Sequence, residues 1–179
     1  DFRGGPSNSG IRSFAVKPKG ASFELVDSHE FIWKILGTDI DFGYDGSIYI
    51  SDWVNGWDGL GKGRIYKFQH RDMPQTPTPL SATTLMHAGL KTFTLDRLSV
   101  LLGHSDRRVR QEAQFELANR KAIHRLVPFA KSGRQLRRIH AIWGLGQIVR
   151  QNPDLVQPEI LGIRHVLMDL LRDEDSEIR

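Results

Sequence analysis

The spacing of apolar residues changes once along the chain, from a two-residue period to a helical one. Between residues 11 and 68, short runs rich in β-branched and aromatic residues alternate with polar positions, a pattern typical of half-buried strands. These runs are IRSFAV, SFELV, EFIWKI, DIDF, SIYIS and GRIYKF. From Thr92 onward, apolar residues recur three and four positions apart, which indicates one face of an α-helix. The pattern predicts a chain that is β in its first part and α in its second.

The stretch DIDFGYDGSIYISDW, from Asp39 to Trp53, predicts a β-hairpin. Asp45-Gly46 lies between its two apolar runs, and glycine adopts the positive φ of a tight turn at little cost. Asp39 and Asp52 then fall opposite each other at the other end of the hairpin. Their pairing is fixed to within one residue, because a two-residue turn and a three-residue turn give registers that differ by one.

Facing carboxylates repel each other unless a cation lies between them. One interpretation of Asp39 and Asp52 is therefore a metal site, since hard cations such as calcium take clustered oxygens. The other interpretation, which we favour, is that each carboxylate caps a loop or pairs with Lys62 or Arg64. Calcium takes about six to eight oxygens, and the sequence offers only a few here.

The loop WVNGWDGLGKG, from Trp53 to Gly63, combines two tryptophans, several glycines and polar residues, as the rim of a pocket does. The predicted rim residues are Trp53, Asn55, Trp57 and Asp58. Asn55 or Asp58 is also a candidate further ligand for the metal site. The alternative is that both tryptophans are packing residues, which is the commoner role of aromatic side chains.

Residues 69–91 contain Pro74, Pro77 and Pro79 among serines and threonines. Because proline lacks an amide hydrogen, such a segment favours an extended connector. We therefore predict three parts: a β part over 1–68, a linker over 69–91 and a helical part over 92–179.

The helical part contains an internal repeat. Adding 69 maps Leu98, Leu101, Leu102, Asp106, Val109 and Arg110 onto Leu167, Leu170, Leu171, Asp175, Ile178 and Arg179. Adding 28 maps Leu98, Arg110, Ala113, Phe115 and Leu117 onto Leu126, Arg138, Ala141, Trp143 and Leu145, although Val109 then falls on Arg137. Helix pairs of this length, with Asp-x-x-Val-Arg opening the second helix, resemble HEAT repeats of an α-solenoid.

Basic residues are dense where the second helices of these pairs begin. The candidates for docking a partner are Arg107, Arg108, Arg137, Arg138 and His140. The alternative for the arginines is a solvated surface. The alternative for His140 is a hydrogen bond inside the solenoid, with Trp143 filling the core between repeats.

Composition excludes several kinds of chemistry. The chain has 179 residues, of which 39% are hydrophobic, and a net charge of +4. This mild basic excess forms no dense stripe, which argues against nucleic-acid binding. The absence of cysteine excludes disulfides, thiolate zinc sites and a Cys-x-x-Cys-His haem attachment within these residues. The sequence contains no run of 18 apolar residues, so it predicts no membrane-spanning helix.

The residues DIDFGYDGSIYISDWVNGWDGLGKGRIYKF resemble the closing β-propeller blade of bacterial putative membrane-bound dehydrogenases. In that family a propeller similar to glucose/sorbosone dehydrogenases is followed by HEAT repeats and a cytochrome c domain. The segments HSDRRVRQEAQFELANR and RIHAIWGLGQIVRQ resemble the same family, in the expected order. The resemblance implies a terminal propeller blade, with residues 38–42 innermost, 47–51 next and 63–68 third, joined to a truncated HEAT-like solenoid.

The resemblance also implies a periplasmic or exported parent protein, associated with the membrane, that oxidises sugars or related alcohols. Pyrroloquinoline quinone, calcium and haem c are the implied cofactors of the parent, and none is expected within this chain. The implied partners are further blades, downstream repeats and a cytochrome c domain, for which the solenoid is a spacer or docking surface. We expect the chain to be an inactive piece of that protein. The alternative is a non-enzymatic interaction scaffold.

Overall fold

The computed structural model describes residues 1–58, 61–72, 80–152 and 158–179, without the side chains of 159 and 160. The chain forms two compact units, Asp1–Gln75 and Thr76–Arg179. The first contains two small antiparallel sheets and the second contains helices, so the predicted order of β then α is confirmed. Within the described ranges, none of the helices has the length and apolarity needed to cross a bilayer.

The first sheet is a long hairpin of β1 (Gly10–Lys19) and β2 (Ser22–Trp33). The sequence predicts two strands, at 22–26 and 30–35, where the structure has the single strand β2. The pairing shifts register between Ile11 and Arg12 and again between Ser13 and Ala15. Such bulges interrupt the alternation of side chains without ending the strand, which explains why the apolar pattern suggested two strands.

The second sheet contains β3 (Gly37–Phe42), β4 (Ile48–Asp52) and β5 (Arg64–Phe68), paired in that order. The predicted turn at Asp45-Gly46 is confirmed. The amide of Gly43 donates to the carbonyl oxygen of Ser47 at 2.8 Å, which closes a three-residue loop. Gly46 has a φ of 78°, so the loop uses the conformational freedom of glycine.

The sheets bury few large apolar side chains. Leu36 and Ile50 are the fully buried ones in the described part of this unit. Many others are exposed on the strands: Phe14, Val16, Phe23, Leu25, Phe31, Ile40, Phe42 and Ile65. Sheets of two or three strands gain independent stability only when an apolar face is covered, so these faces have the composition of surfaces that pack against further structure.

The helical unit contains six helices in the part of the chain described. They are α1 (Ala82–Ala88), α2 (Leu95–Leu101), α3 (Arg107–Asn119), α4 (Ile123–Lys131), α5 (Gln135–Gln151) and α6 (Pro158–Leu170). Three begin at side-chain caps that accept a backbone amide: Ser81, Thr94 and Asp106. Asp106 is the first residue of the Asp-x-x-Val-Arg motif, so this motif opens a helix as the sequence indicates.

Helix α1 lies inside the predicted linker 69–91, where the sequence suggested an extended connector. Ser81 caps this helix and Leu85 is fully buried on it, so local capping and core packing outweigh the proline-rich composition that precedes it. Pro74, Pro77 and Pro79 lie outside the described residues.

The predicted apolar stripes form the core of the helical unit. Their fully buried members include Leu98, Leu102, Val109, Ala113, Leu117, Leu126, Ala141 and Leu145. Helix α2 packs on α3, α4 packs on α5, and α3 lies beside α5.

The 69-residue repeat extends to hydrogen bonds. Nη1 of Arg110 donates to the carbonyl oxygens six and five residues earlier, at 2.7 and 2.8 Å. Arg179 makes the same two contacts, at 2.6 and 3.2 Å. Asp106 and Asp175 each accept the backbone amide two residues later, at 2.8 and 2.9 Å. The loops at 104–110 and 173–179 are thus structural copies in these contacts.

The contact between α4 and α5 depends on a glycine. A Cβ atom at Gly144 would lie 3.1 Å from Cδ1 of buried Leu126. At Gly146, two residues along α5, the nearest group is the flexible end of Arg150, at 3.3 Å.

We expect Gly146→Ala to raise, and Gly144→Ala to lower, the melting temperature of the helical unit. In either position, alanine stabilises the helix by about 0.5–1 kcal/mol relative to glycine. At 144 alone, the added methyl group also crowds a packed core, which costs about 1–3 kcal/mol. Thermal melts followed by circular dichroism at 222 nm would test this. Equal stabilisation by both variants would contradict the close approach of α4 and α5.

Candidate functional site

The structure places Asp39 and Asp52 at different positions of the hairpin. Asp39 pairs with Ser51, whereas Asp52 pairs with Gly37, because the register shifts between Gly37 and Asp39. Asp39 is exposed, and its carboxylate accepts the amide of Ile40 at 2.8 Å. The two carboxylates therefore do not form a directly opposed pair.

Asp52 is buried and organises the loop around it. Its Oδ1 accepts the backbone amides of Leu36, at 3.0 Å, and Val54, at 2.9 Å. This is the loop-capping role that the sequence allowed. Within the ranges that the structure describes, no three His, Asp or Glu side chains cluster as a metal site would require. Calcium binding at Asp39 and Asp52 stays a prediction.

Of the four predicted rim residues, Trp53 alone is in the lining of a shallow cavity of about 700 Å³ in the sheet unit. Asp52 and Trp53 line it, together with Thr38, Arg64 and Ile65. Trp57 packs edge-on against Trp53, with ring centroids 4.6 Å apart, and is 84% exposed.

Asn55 and Asp58, the other two predicted rim residues, are exposed. Residues 59 and 60 of the same loop lie outside the described residues. The function of this rim stays a prediction.

A second cavity lies between α3 and α5, on the helices that the sequence identified as basic. This groove has a volume of about 340 Å³. Its lining includes Arg107, Arg110, Gln114, Leu136, His140 and Trp143. Two predicted docking residues, Arg107 and His140, thus reach one site. We call this site the α3–α5 groove.

His140 forms part of the wall of the groove and is only 6% exposed. Its Nδ1 lies 2.9 Å from Oε1 of Gln114, and Nε2 of Gln114 donates to Oε1 of Gln147 at 3.3 Å. Burial, with the nearby charge of Arg110, lowers the pKa of His140 to about 4. The imidazole is therefore neutral at physiological pH and donates from Nδ1 to Gln114.

Trp143 lies beside His140 but is not a core residue. The two rings meet edge to face, with centroids 5.1 Å apart, and the indole is 55% exposed. The sequence allowed His140 to be hydrogen-bonded inside the helices with Trp143 filling the core. In the structure His140 is hydrogen-bonded between the helices, but Trp143 does not fill the core. Its indole ring lines the groove instead.

The remaining predicted docking arginines have partners of their own. Arg108 forms an ion pair with Asp106, 2.7 Å between Nη2 and Oδ2, which lowers the pKa of that carboxyl. Arg138 pairs with Asp173, whose pKa is lowered by the contact. The guanidinium of Arg137 lies 5.1 Å from the ring centroid of Phe129. Arg137 and Arg138 thus hold α5 against neighbouring elements, whereas the Arg108 pair is local to the start of α3.

Sequence reasoning missed Gln114 and Leu136 as site residues. A signal for Gln114 was present, because it follows Arg110 by four positions and so shares its helical face. No local pattern could indicate its contact with His140, since the two residues are 26 positions apart.

Comparison of the chain with protein-family models, with curated proteins and with solved structures finds no match in any of the three.

Proposed function

We propose that the helical unit is a HEAT-like docking module. The observation that carries this proposal is the α3–α5 groove. Helices α3 and α5 carry four of the five residue pairs related by the 28-position repeat. They present Trp143 and arginine side chains along a concave surface. Aromatic rings and arginines are the side chains enriched where proteins bind each other.

The sheet unit, in this proposal, is the terminal blade region of a β-propeller. Two observations support it. Strands β3, β4 and β5 pair in the order that the resemblance implies, and both sheets expose apolar side chains that neighbouring blades would cover.

The proposed parent protein is an exported sugar or alcohol dehydrogenase similar to the glucose/sorbosone type. Pyrroloquinoline quinone and calcium would supply the oxidation chemistry, and haem c would accept the electrons. The residues of this chain do not fit haem c attachment, because they include no cysteine. We place the catalytic step outside residues 1–179, and assign to the helical unit the docking of the haem domain.

A reductive titration of the parent protein tests this assignment. With sugars, quinone and calcium supplied, we expect turnover both with a dye acceptor and with the haem domain. Deleting residues 80–179 should abolish reduction of the haem while dye reduction persists. Absence of dye reduction in the intact protein would contradict the dehydrogenase assignment.

The second candidate is a non-enzymatic scaffold, favoured by the same groove, because its lining has the composition of a recognition surface. In that case the intact protein would bind partners through the groove but would show no turnover with any sugar or acceptor.

A further inference from the structure

The charge of the α3–α5 groove has one sign. Its lining contains two arginines and no Asp or Glu. Helix α5, which forms the other wall, carries no acidic residue. Of the two glutamates on α3, Glu112 lies outside the lining and Glu116 is paired with Arg120. A carboxylate entering the groove therefore meets positive potential without a competing acid.

The two groove arginines differ in exposure and in the contacts they make. Arg107 is exposed and forms no ion pair within the part of the chain described. Arg110 is 8% exposed, and its Nε is buried without a hydrogen-bond partner there, although Nη1 is fully used by the loop before α3. The exposed guanidinium of Arg107 can form charge-assisted hydrogen bonds with an anionic group, and the buried charge of Arg110 adds to the positive potential.

The rest of the lining suits a peptide better than a free anion. Trp143 and Leu136 are about half exposed and offer apolar surface beside the arginines. His140 donates from Nδ1 to Gln114, so its Nε2 is left as an acceptor, and no described residue hydrogen-bonds to it. A backbone amide provides the donor that this atom lacks.

We infer that the α3–α5 groove binds an acidic peptide segment of a partner protein, in which an Asp or Glu lies next to an apolar residue. The carboxylate contacts Arg107, the apolar side chain packs on Trp143 and Leu136, and a backbone amide donates to Nε2 of His140. This inference rests on the docking role proposed above and adds the chemistry of the partner.

Selection from a random peptide library displayed on phage tests the inference with the full chain as bait. We expect the selected peptides to be enriched in Asp or Glu adjacent to Leu, Phe or Trp. Synthetic copies of these peptides, labelled with fluorescein, then allow affinity to be measured by anisotropy. Replacing the acidic residue of the peptide by its amide should weaken binding about tenfold or more.

Variants of the chain locate the binding site. Trp143→Ala and Arg107→Glu change exposed side chains and should each weaken binding about tenfold or more. The matched controls are Leu161→Ala on α6 and Arg150→Glu on α5, which are exposed outside the groove lining and should leave affinity unchanged. Circular dichroism confirms that each variant keeps its helices.

Each failure has a different meaning. Selected peptides that need Trp143 but carry no acidic residue would overturn this inference while leaving the docking role intact. Acidic peptides that bind equally well to Trp143→Ala and Arg107→Glu would overturn the assignment to the groove. Failure to select any peptide that depends on Trp143 would contradict both the inference and the proposed docking role of the groove.

Discussion

Leu126→Ala is expected to lower the free energy of unfolding of the helical unit by about 2–5 kcal/mol. Leu126 is fully buried on α4. A Cβ atom placed at Gly144 of α5 would lie 3.1 and 3.3 Å from its two methyl carbons. Truncation removes apolar contacts and leaves a cavity between two helices that cannot approach further, because their backbones are already close.

Urea denaturation followed by circular dichroism at 222 nm measures this loss. Leu161→Ala is the matched control, since Leu161 lies on α6 with 54% of its surface exposed, and its truncation should cost under about 0.5 kcal/mol. Similar losses in the two variants would show that α4 and α5 do not share a packed core.

Acidification is expected to destabilise the helical unit through His140. Burial lowers the pKa of this residue from 6.5 to about 4. Between pH 6.5 and 4, His140 is therefore protonated in the unfolded chain but neutral in the folded chain. The contribution of His140 to stability is therefore fully present above about pH 6.5 and is lost as the pH falls to 4, with a total loss of about 3 kcal/mol.

His140→Gln should remove most of this pH dependence, because glutamine does not titrate in that range. His124→Gln is the control, since His124 is exposed on α4, and it should keep the wild-type profile. Unfolding free energies measured between about pH 7.5 and 4.5 test the prediction. A midpoint near 6.5 for His140 in an NMR titration would contradict its burial against Arg110.

Much of the fold could be predicted because its signals are local. The period of the apolar residues distinguished strands from helices. The turn at Asp45-Gly46 was predicted correctly because it needs a residue with positive φ, which glycine adopts readily. The extent of β2 was not predicted, since a bulge is a property of the pairing with β1. Helix α1 was not predicted because the proline-rich segment before it favours an extended connector. The helix depends on burial of Leu85 in the core, which no local pattern indicates.

The candidate site was predicted less completely. The sequence placed basic residues at the starts of α3 and α5, and the structure brings Arg107 and His140 into one groove. It could not show that Arg138 is engaged in an ion pair, because its partner Asp173 is 35 positions away. Helix packing alone brings Gln114 to His140.

The central claim is the proposal that a self-supporting helical module is joined to sheets that gain independent stability only when their apolar faces are covered. Amide hydrogen exchange on the 179-residue chain, read by mass spectrometry of peptides, tests this most directly. We predict that peptides from α3, α4 and α5 stay protected for hours, whereas those from β1 and β2 exchange within minutes. Protection of β1 and β2 equal to that of α5 would contradict the claim.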